Sequence, residues 1–259
     1  AFVVNFMLAH TLKEKLKKNK GITVFDPAVG SGAFLVESFK MIIDSYNGEI
    51  DYQKKKEILQ NQLFGIDIDE KALQIAAFSL YLALLEKEDH KFIRKQIKES
   101  HPVLPSLINK NLIKANTITD NVFEDKMFDC IVSNPPWSLV GKADKAEKKA
   151  LKDCFIYKAI HKRYPQRSQA FMLKVQQWVG NDTRLGFIVN NSNFYSEFSK
   201  EFRKDLLEKY SISQYYELSD YNPILFKKRT IGEINKEQIE IGSSEPCAIL
   251  IFEEYKQKK

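Results

Sequence analysis

Seven short runs in the chain read as strands, and most of them are separated by segments of helical periodicity. The runs are Ile22–Phe25, Leu63–Ile66, Asn111–Lys114, Phe128–Ser133, Arg184–Val189, Ile212–Leu218 and Ala248–Phe252. Most are unbroken apolar stretches rather than alternating ones, which predicts strands buried on both faces. Helices are expected over residues 2–18, 33–45, 70–85, 168–179 and 194–209. That alternation predicts an α/β fold: a mostly parallel seven-stranded sheet with helices on both faces. The last two strands have only a turn and a loop between them, so they can pair antiparallel at one edge.

Two stretches stand outside the pattern. Residues 86–110 are polar, carry Pro102 and Pro105, and read as a connector or a small helical insertion. Residues 138–167 form a lysine-rich insert. The remainder reads as one catalytic-size domain over 1–259, large enough to bury a core. The formal charge of +6 permits a polyanionic partner without requiring one. Cys130, Cys154 and Cys247 are far apart, and Cys130 and Cys247 sit in strand-like runs, so buried reduced thiols and a reducing, cytoplasmic setting are expected. The four histidines lack metal-ligand spacing, and no metal site is expected. No apolar stretch is long enough to span a membrane. The chain opens without Met inside an apolar periodic segment, so a piece of a longer protein is the expectation.

The first strand runs into Asp26-Pro27-Ala28-Val29-Gly30-Ser31-Gly32-Ala33-Phe34-Leu35. In open α/β sheets, ligands bind beyond the carboxyl ends of the strands. Gly30 and Gly32 permit a tight turn and close approach of the backbone to a ligand. The helix start that follows offers free N–H groups to a carboxylate, and Asp26 can pair with a cation. A ligand with both an ammonium and a carboxylate uses both devices, and the methionine half of S-adenosylmethionine has both. Asp67 ends the second strand, where a carboxylate can accept from ribose hydroxyls. Asn116 follows the third strand and can bond the edge of an adenine ring. A solvated strand end remains the plain alternative for Asp67, as does a surface turn for Asn116.

The fourth strand runs into Asn134-Pro135-Pro136-Trp137. An exocyclic amine on adenine is a poor nucleophile because its lone pair is delocalised into the ring. Two acceptors aimed at its N–H bonds draw the nitrogen toward tetrahedral geometry. The Asn134 side-chain oxygen and the Pro135 carbonyl are the candidate acceptors, and the prolines stiffen the turn that carries them. Trp137 offers a flat face for a base to stack on. A Pro-Pro turn with Trp137 as a core anchor is the alternative.

With these two motifs the chain resembles the catalytic domain of the N6-adenine DNA methyltransferases of restriction-modification systems. It is most similar to the gamma arrangement of type I modification subunits and fused type IIG enzymes, over about residues 2–253. The resemblance implies a Rossmann-like class I S-adenosylmethionine-dependent methyltransferase fold. It implies that Asp26, Pro27, Ala28, Gly30, Gly32, Asp67, Ile68, Asn116 and Pro136 contact S-adenosylmethionine. It also implies that Asn134, Pro135 and Trp137 hold the target adenine, with Phe226 stacking on the opposite face. Double-stranded DNA is the implied partner. A target-recognition domain or specificity subunit is implied too, and nothing after Phe252 reads as one. Family members carry a Thr-Pro pair ahead of the first helix; this chain begins just past that place, so reduced cofactor affinity is expected.

The insert carries Lys145, Lys148, Lys149, Lys152, Lys158, Lys162 and Arg163, with Phe155, Tyr157 and Tyr164 interleaved. It leaves the Asn134 turn and is expected over the pocket mouth, either neutralising phosphates or as a solvated helix face. Three other functions stay open: a methyltransferase acting on RNA or protein glutamine, a cofactor-binding module inert without a specificity partner, and a nicotinamide oxidoreductase. The last leaves Asn134–Trp137 unexplained.

Overall fold

The computed structural model describes residues 2–48, 50–99, 102–140, 145–153, 160, 166–221, 229–234, 237–241 and 246–255. Ten helices and nine strands follow one another among these residues. They are α1 (Phe2–His10), α2 (Leu12–Leu16), β1 (Val24–Asp26), α3 (Ala33–Asp44), α4 (Tyr52–Asn61), β2 (Leu63–Asp67), α5 (Glu70–Leu85) and α6 (His90–Lys98). Next come β3 (Leu112–Lys114), β4 (Phe128–Ser133), α7 (Lys145–Asp153), α8 (Arg167–Lys174), β5 (Val179–Asn190), α9 (Ser192–Tyr195) and α10 (Lys200–Lys209). The chain ends with β6 (Tyr210–Glu217), β7 (Arg229–Ile234), β8 (Glu237–Ile241) and β9 (Cys247–Tyr255).

Seven strands form one sheet in the order β3-β2-β1-β4-β5-β9-β6. The first five run parallel, and β9 lies antiparallel between β5 and β6. The expected antiparallel pairing of the last two core strands is present, with β6 rather than the final strand at the edge. This order and mixed polarity are those of the expected class I methyltransferase-like fold.

The two-faced core follows from the period of two along a strand, which sends neighbouring side chains to opposite faces. Val24, Leu63, Cys130, Ile188 and Ile249 face one layer, built from Met7, Leu12, Leu35, Phe39, Leu73 and Leu80 of α1, α2, α3 and α5. Their immediate neighbours Phe25, Phe64, Ile131, Val189 and Leu250 face the other, built from Ala170, Met172, Phe202 and Leu206 of α8 and α10. Trp178 is fully buried in this second layer, meets Phe25 edge-on with 4.8 Å between ring centroids, and donates its Nε1–H to the Val122 carbonyl at 2.9 Å. Cys130 and Cys247 are buried free thiols; Cys154 lies outside the described residues. No helix among the described residues is long and apolar enough to cross a membrane.

Several expected boundaries move. The helix expected over 2–18 is divided at Thr11, whose N–H and hydroxyl both donate to the Met7 carbonyl, at 3.0 and 2.8 Å, a doubled bond of the kind that bends helices. The segment 168–179 is α-helical only to Lys174, passes through a 3-10 turn at Val175–Trp178, and enters β5 at Val179. The helix expected over 194–209 is divided into α9, a 3-10 turn and α10, with the Ser196 side chain accepting from the Phe198 N–H. The polar stretch around 227–245 contains the β7–β8 hairpin. Helix α4 is an element the periodicity did not reveal; its N-cap is Asp51, whose carboxylate accepts from the Lys54 N–H. The 86–110 connector contains α6.

Gly65, within β2, leaves no room for a side chain. A Cβ there would lie 2.1 Å from Val29 Cγ2 and 3.3 Å from the Asp26 carbonyl oxygen. Gly65→Ala must therefore push β2 away from the turn that follows β1. Overpacking of this kind costs about 1–3 kcal/mol, read as a lower urea midpoint at unchanged m-value. A midpoint equal to wild type would contradict the packing described.

Candidate functional site

Strands β1, β2, β3 and β4 are parallel, so Asp26, Asp67, Lys114 and Ser133 end on one edge of the sheet, and the loops after them share one rim. A cavity of about 690 Å³ opens there. Its wall includes Pro27, Ala28 and Gly30 from the first loop, Asp67 and Ile68 from the second, Asn116 and Thr117 from the third, and Asn134 and Pro136 from the fourth. Lys145, Glu147, Arg167 and Phe171 close it from the insert and α8. Seven of the nine residues expected at a cofactor thus line one space, and Asn134 joins them.

The glycine turn is held by its neighbours. Gly30 and Gly32 have φ of 54° and 83°, in the left-handed region. The Gly30 N–H donates to Asp67 Oδ2 at 2.8 Å, tying the first loop to the second. Asp67 Oδ1 accepts from the Asp69 N–H at 2.9 Å, so this carboxylate shapes both loops from its place in the wall. Gly32 does not line the cavity. It lets the start of α3 press on α5, because a Cβ would lie 2.9 Å from Ala76 Cβ and 3.0 Å from Ala76 Cα. Asn116 is half-buried, and its Oδ1 accepts from the Ile118 N–H at 3.0 Å in a turn closed on itself. Ile68 is 67% exposed and offers an apolar face to the cavity.

Asp26 also stands outside the wall. It is 1% exposed, and its Oδ1 accepts from the Ala28 N–H at 2.9 Å and the Ser133 hydroxyl at 2.8 Å. Burial pushes its carboxyl from 3.8 up to about 7; the two donors pull it down, Ala28 more than Ser133, and the Asp67 charge adds a further upward push. The Ser133 bond joins the two motifs directly, since Ser133 immediately precedes Asn134.

Asn134 is exposed and Pro135 is buried beneath it. Trp137 is half-buried, packs on the first core layer, and donates its Nε1–H to the Ile188 carbonyl at 3.2 Å. It lines a second cavity of about 540 Å³, whose wall includes Asn190, Asn191, Ser192 and Tyr195 at the end of β5. Trp137 is therefore both a core anchor and a cavity wall. Ser138 lines both cavities, so the Asn134–Ser138 turn stands between them. Phe226 lies outside the described residues, as do Lys158, Lys162, Arg163, Phe155, Tyr157 and Tyr164. Tyr195, which sequence reading did not single out, is 66% exposed and donates to Glu217 Oε2 at 3.1 Å.

The insert reaches the mouth of the first cavity through Lys145 and Glu147. Its two ends meet where the Arg167 N–H donates to the Ser138 carbonyl at 3.1 Å and Leu139 bridges Gln166. Arg167 Nη2 lies 2.8 Å from Glu147 Oε2, and its Nη1 donates to Ser138 Oγ at 2.7 Å and the Leu139 carbonyl at 3.0 Å. This pair left no periodicity or spacing signal in the sequence. Among the described residues no cluster of histidine, cysteine and acidic side chains has the geometry of a metal site.

A family model described as "Eco57I restriction-modification methylase" matches residues 61–224, more than half of the chain. The chain belongs to the Eco57I restriction-modification methylase family. A curated relative, the type II restriction enzyme and methyltransferase RM.Eco57I of Escherichia coli, is 26% identical over 269 residues, covering 88% of this chain and 26% of its own length. The adenine-specific methyltransferase PglX of Lacticaseibacillus casei is 33% identical over 79 residues, covering 29% of this chain and 6% of its own. Among solved structures, the type IIL restriction-modification enzyme MmeI in complex with DNA superposes with a TM-score of 0.60 at 21% identity, covering 96% of this chain and 34% of that one. The last likeness is one of fold. The chain spans about a quarter of the length of the first of these family relatives.

The Asp26 environment has a measurable consequence. Between pH 3.8 and about 7 the folded state retains a proton that the unfolded chain has lost. The stability this group contributes is thus full below pH 3.8 and is lost as pH rises through about 7. Asp26→Asn lacks that titration, so its stability relative to wild type should rise from pH 4 to pH 7.5 and level off above. Paired urea melts across that range check it; a difference independent of pH would refute the assignment.

Proposed function

We propose that this domain transfers a methyl group from S-adenosylmethionine to N6 of an adenine flipped out of double-stranded DNA, as part of a restriction-modification system. One observation carries the reading: Asn134 and the glycine turn open into the same cavity, while Trp137 of the same tetrapeptide walls the adjoining one. Family membership and the relatives' adenine-specific description support it.

The cavity residues fit the cofactor chemically. A space of about 690 Å³ lies within the ~300–1,000 Å³ range of small-molecule sites. Ile68 presents an apolar face for an adenine ring, Asn116 an amide for the edge of that ring, and Asp67 a carboxylate for ribose hydroxyls. Pro27, Ala28, Gly30 and Pro136 shape the remaining wall. Asp26, beneath the loop, is a buried acid that a nearby cation would ionise. Gly32 acts through packing. Bound there, S-adenosylmethionine supplies a methyl carbon on a positively charged sulfur, so the attacking nitrogen need not be deprotonated first.

The remaining steps fall to this chain's own side chains. The target nucleotide leaves the duplex at a cost of a few kcal/mol, and the Trp137 indole offers it a stacking face. The Asn134 amide oxygen and the Pro135 carbonyl accept the two N6–H bonds, which localises the lone pair on nitrogen. They also stabilise the positive charge that develops there. Phe226 is the candidate for the opposite stacking face. The lysines of α7 are assigned to neutralising phosphates of the distorted strand, with Lys145 at the cavity wall as the support. Target selection is assigned to a target-recognition domain or specificity subunit.

A tritium-transfer assay offering unmethylated genomic DNA, ribosomal RNA and release factors tests substrate class. Label confined to the last two would replace DNA by RNA or protein glutamine. Tight cofactor binding with no transfer to any of them would make the chain a binding module that needs its specificity partner. Asn134→Ala should lower transfer by about 10²–10³-fold and leave the calorimetric affinity for S-adenosylmethionine within about threefold of wild type. Full activity in that variant would contradict the mechanism.

A further inference from the structure

The charged residues in the wall of the first cavity are Asp67, Lys145, Glu147 and Arg167. Two are basic and two acidic, yet the space is assigned to a ligand whose reactive centre is a cation. Glu147 is the unusual member. It belongs to a helix whose neighbours Lys145, Lys148, Lys149 and Lys152 are basic and largely solvent-facing, while its own side chain is 9% exposed. Burying a carboxylate is costly unless it is paired. Its partner is Arg167, 21% exposed, engaged through Nε to both oxygens at 3.2 Å and through Nη2 at 2.8 Å. The remaining Arg167 nitrogen holds Ser138 and Leu139, just past the Asn134–Trp137 turn.

The guanidinium fastens the turn at the wall, and without the carboxylate of Glu147 the wall would carry one more positive charge against a cationic ligand. We infer that Glu147 is a charge-balancing residue of the first cavity: it neutralises Arg167, so that the cavity accepts a sulfonium ligand while Arg167 positions the turn. The pair is largely buried, so salt screens an unbalanced charge there less than at the open surface. The inference rests on the cofactor reading above and deepens it.

The probes are S-adenosylmethionine and S-adenosylhomocysteine, which differ by the methyl group and the positive charge on sulfur. Calorimetry on the full chain gives the ratio of their Kd values. In Glu147→Gln, which removes one negative charge from the wall, the ratio of S-adenosylmethionine Kd to S-adenosylhomocysteine Kd should rise about fivefold. In Arg167→Gln, which leaves a bare carboxylate, it should fall about fivefold. The double variant restores the balance of charge and Arg167→Lys keeps it, so both should give a ratio within about twofold of wild type. Opposite shifts with restoration support the inference, because mere disruption of the wall would weaken both ligands alike in every variant. An unchanged ratio, or shifts of the same sign in both single variants, overturns it while leaving the cofactor reading intact. A wild-type chain that binds neither ligand overturns both.

Discussion

The pairing of β1 with β4 is the constraint on which the rest of this molecule depends. Their parallel register sets Val24 beside Cys130 and Phe25 beside Ile131, so the two strands end side by side although more than a hundred residues separate them. Asp129 fastens the entrance to this pair, accepting from both the N–H and the hydroxyl of Thr23. Ser133 fastens the exit through its bond to buried Asp26. With both ends held, the glycine turn and the Asn134–Trp137 turn emerge at a fixed spacing, and preorganised acceptors are useful only at fixed spacing. A buried polar bond of this kind is expensive to break, because the carboxyl would lose one of its two donors in an apolar surround.

From that junction the site is assembled by layers of restraint. Asp67 reaches from β2 to the Gly30 amide and couples the second loop to the first. Thr117 donates to the Pro27 carbonyl at 2.5 Å and couples the third. Arg167 couples the fourth loop to α8 and to the insert. Each loop rim is therefore bonded to a neighbouring segment by at least one buried or half-buried side chain, and the cavity wall is a connected network rather than four independent loops.

Much of this was legible in the sequence where local chemistry dominates. Strands buried on both faces are mostly apolar, and β4, apolar but for Asp129 and its terminal Ser133, was read with its observed boundaries, as was α5 from the clean periodicity of Glu70–Leu85. The glycine turn could be read because glycine adopts the left-handed backbone angles found at residues 30 and 32 most readily. Less legible were elements set by context. Helix α4 is short and lysine-rich, and its stability comes from packing Ile58 and Leu59 into the core. Asp26 was read as a cofactor contact, and its burial against Ala28 and Ser133 beneath the loop had no local signal in the sequence.

Residue order alone determined the alternating α/β architecture, the two motifs and their placement after the first and fourth strands, because propensity, periodicity and glycine geometry are local properties. Tertiary structure alone decided that β9 inserts between β5 and β6, that Trp137 faces one cavity while Asn134 faces another, and that Glu147 meets Arg167 across the insert. Those outcomes depend on pairings between distant segments. Their energies arise only when the chain has closed its loops and excluded water from the groups it brings together.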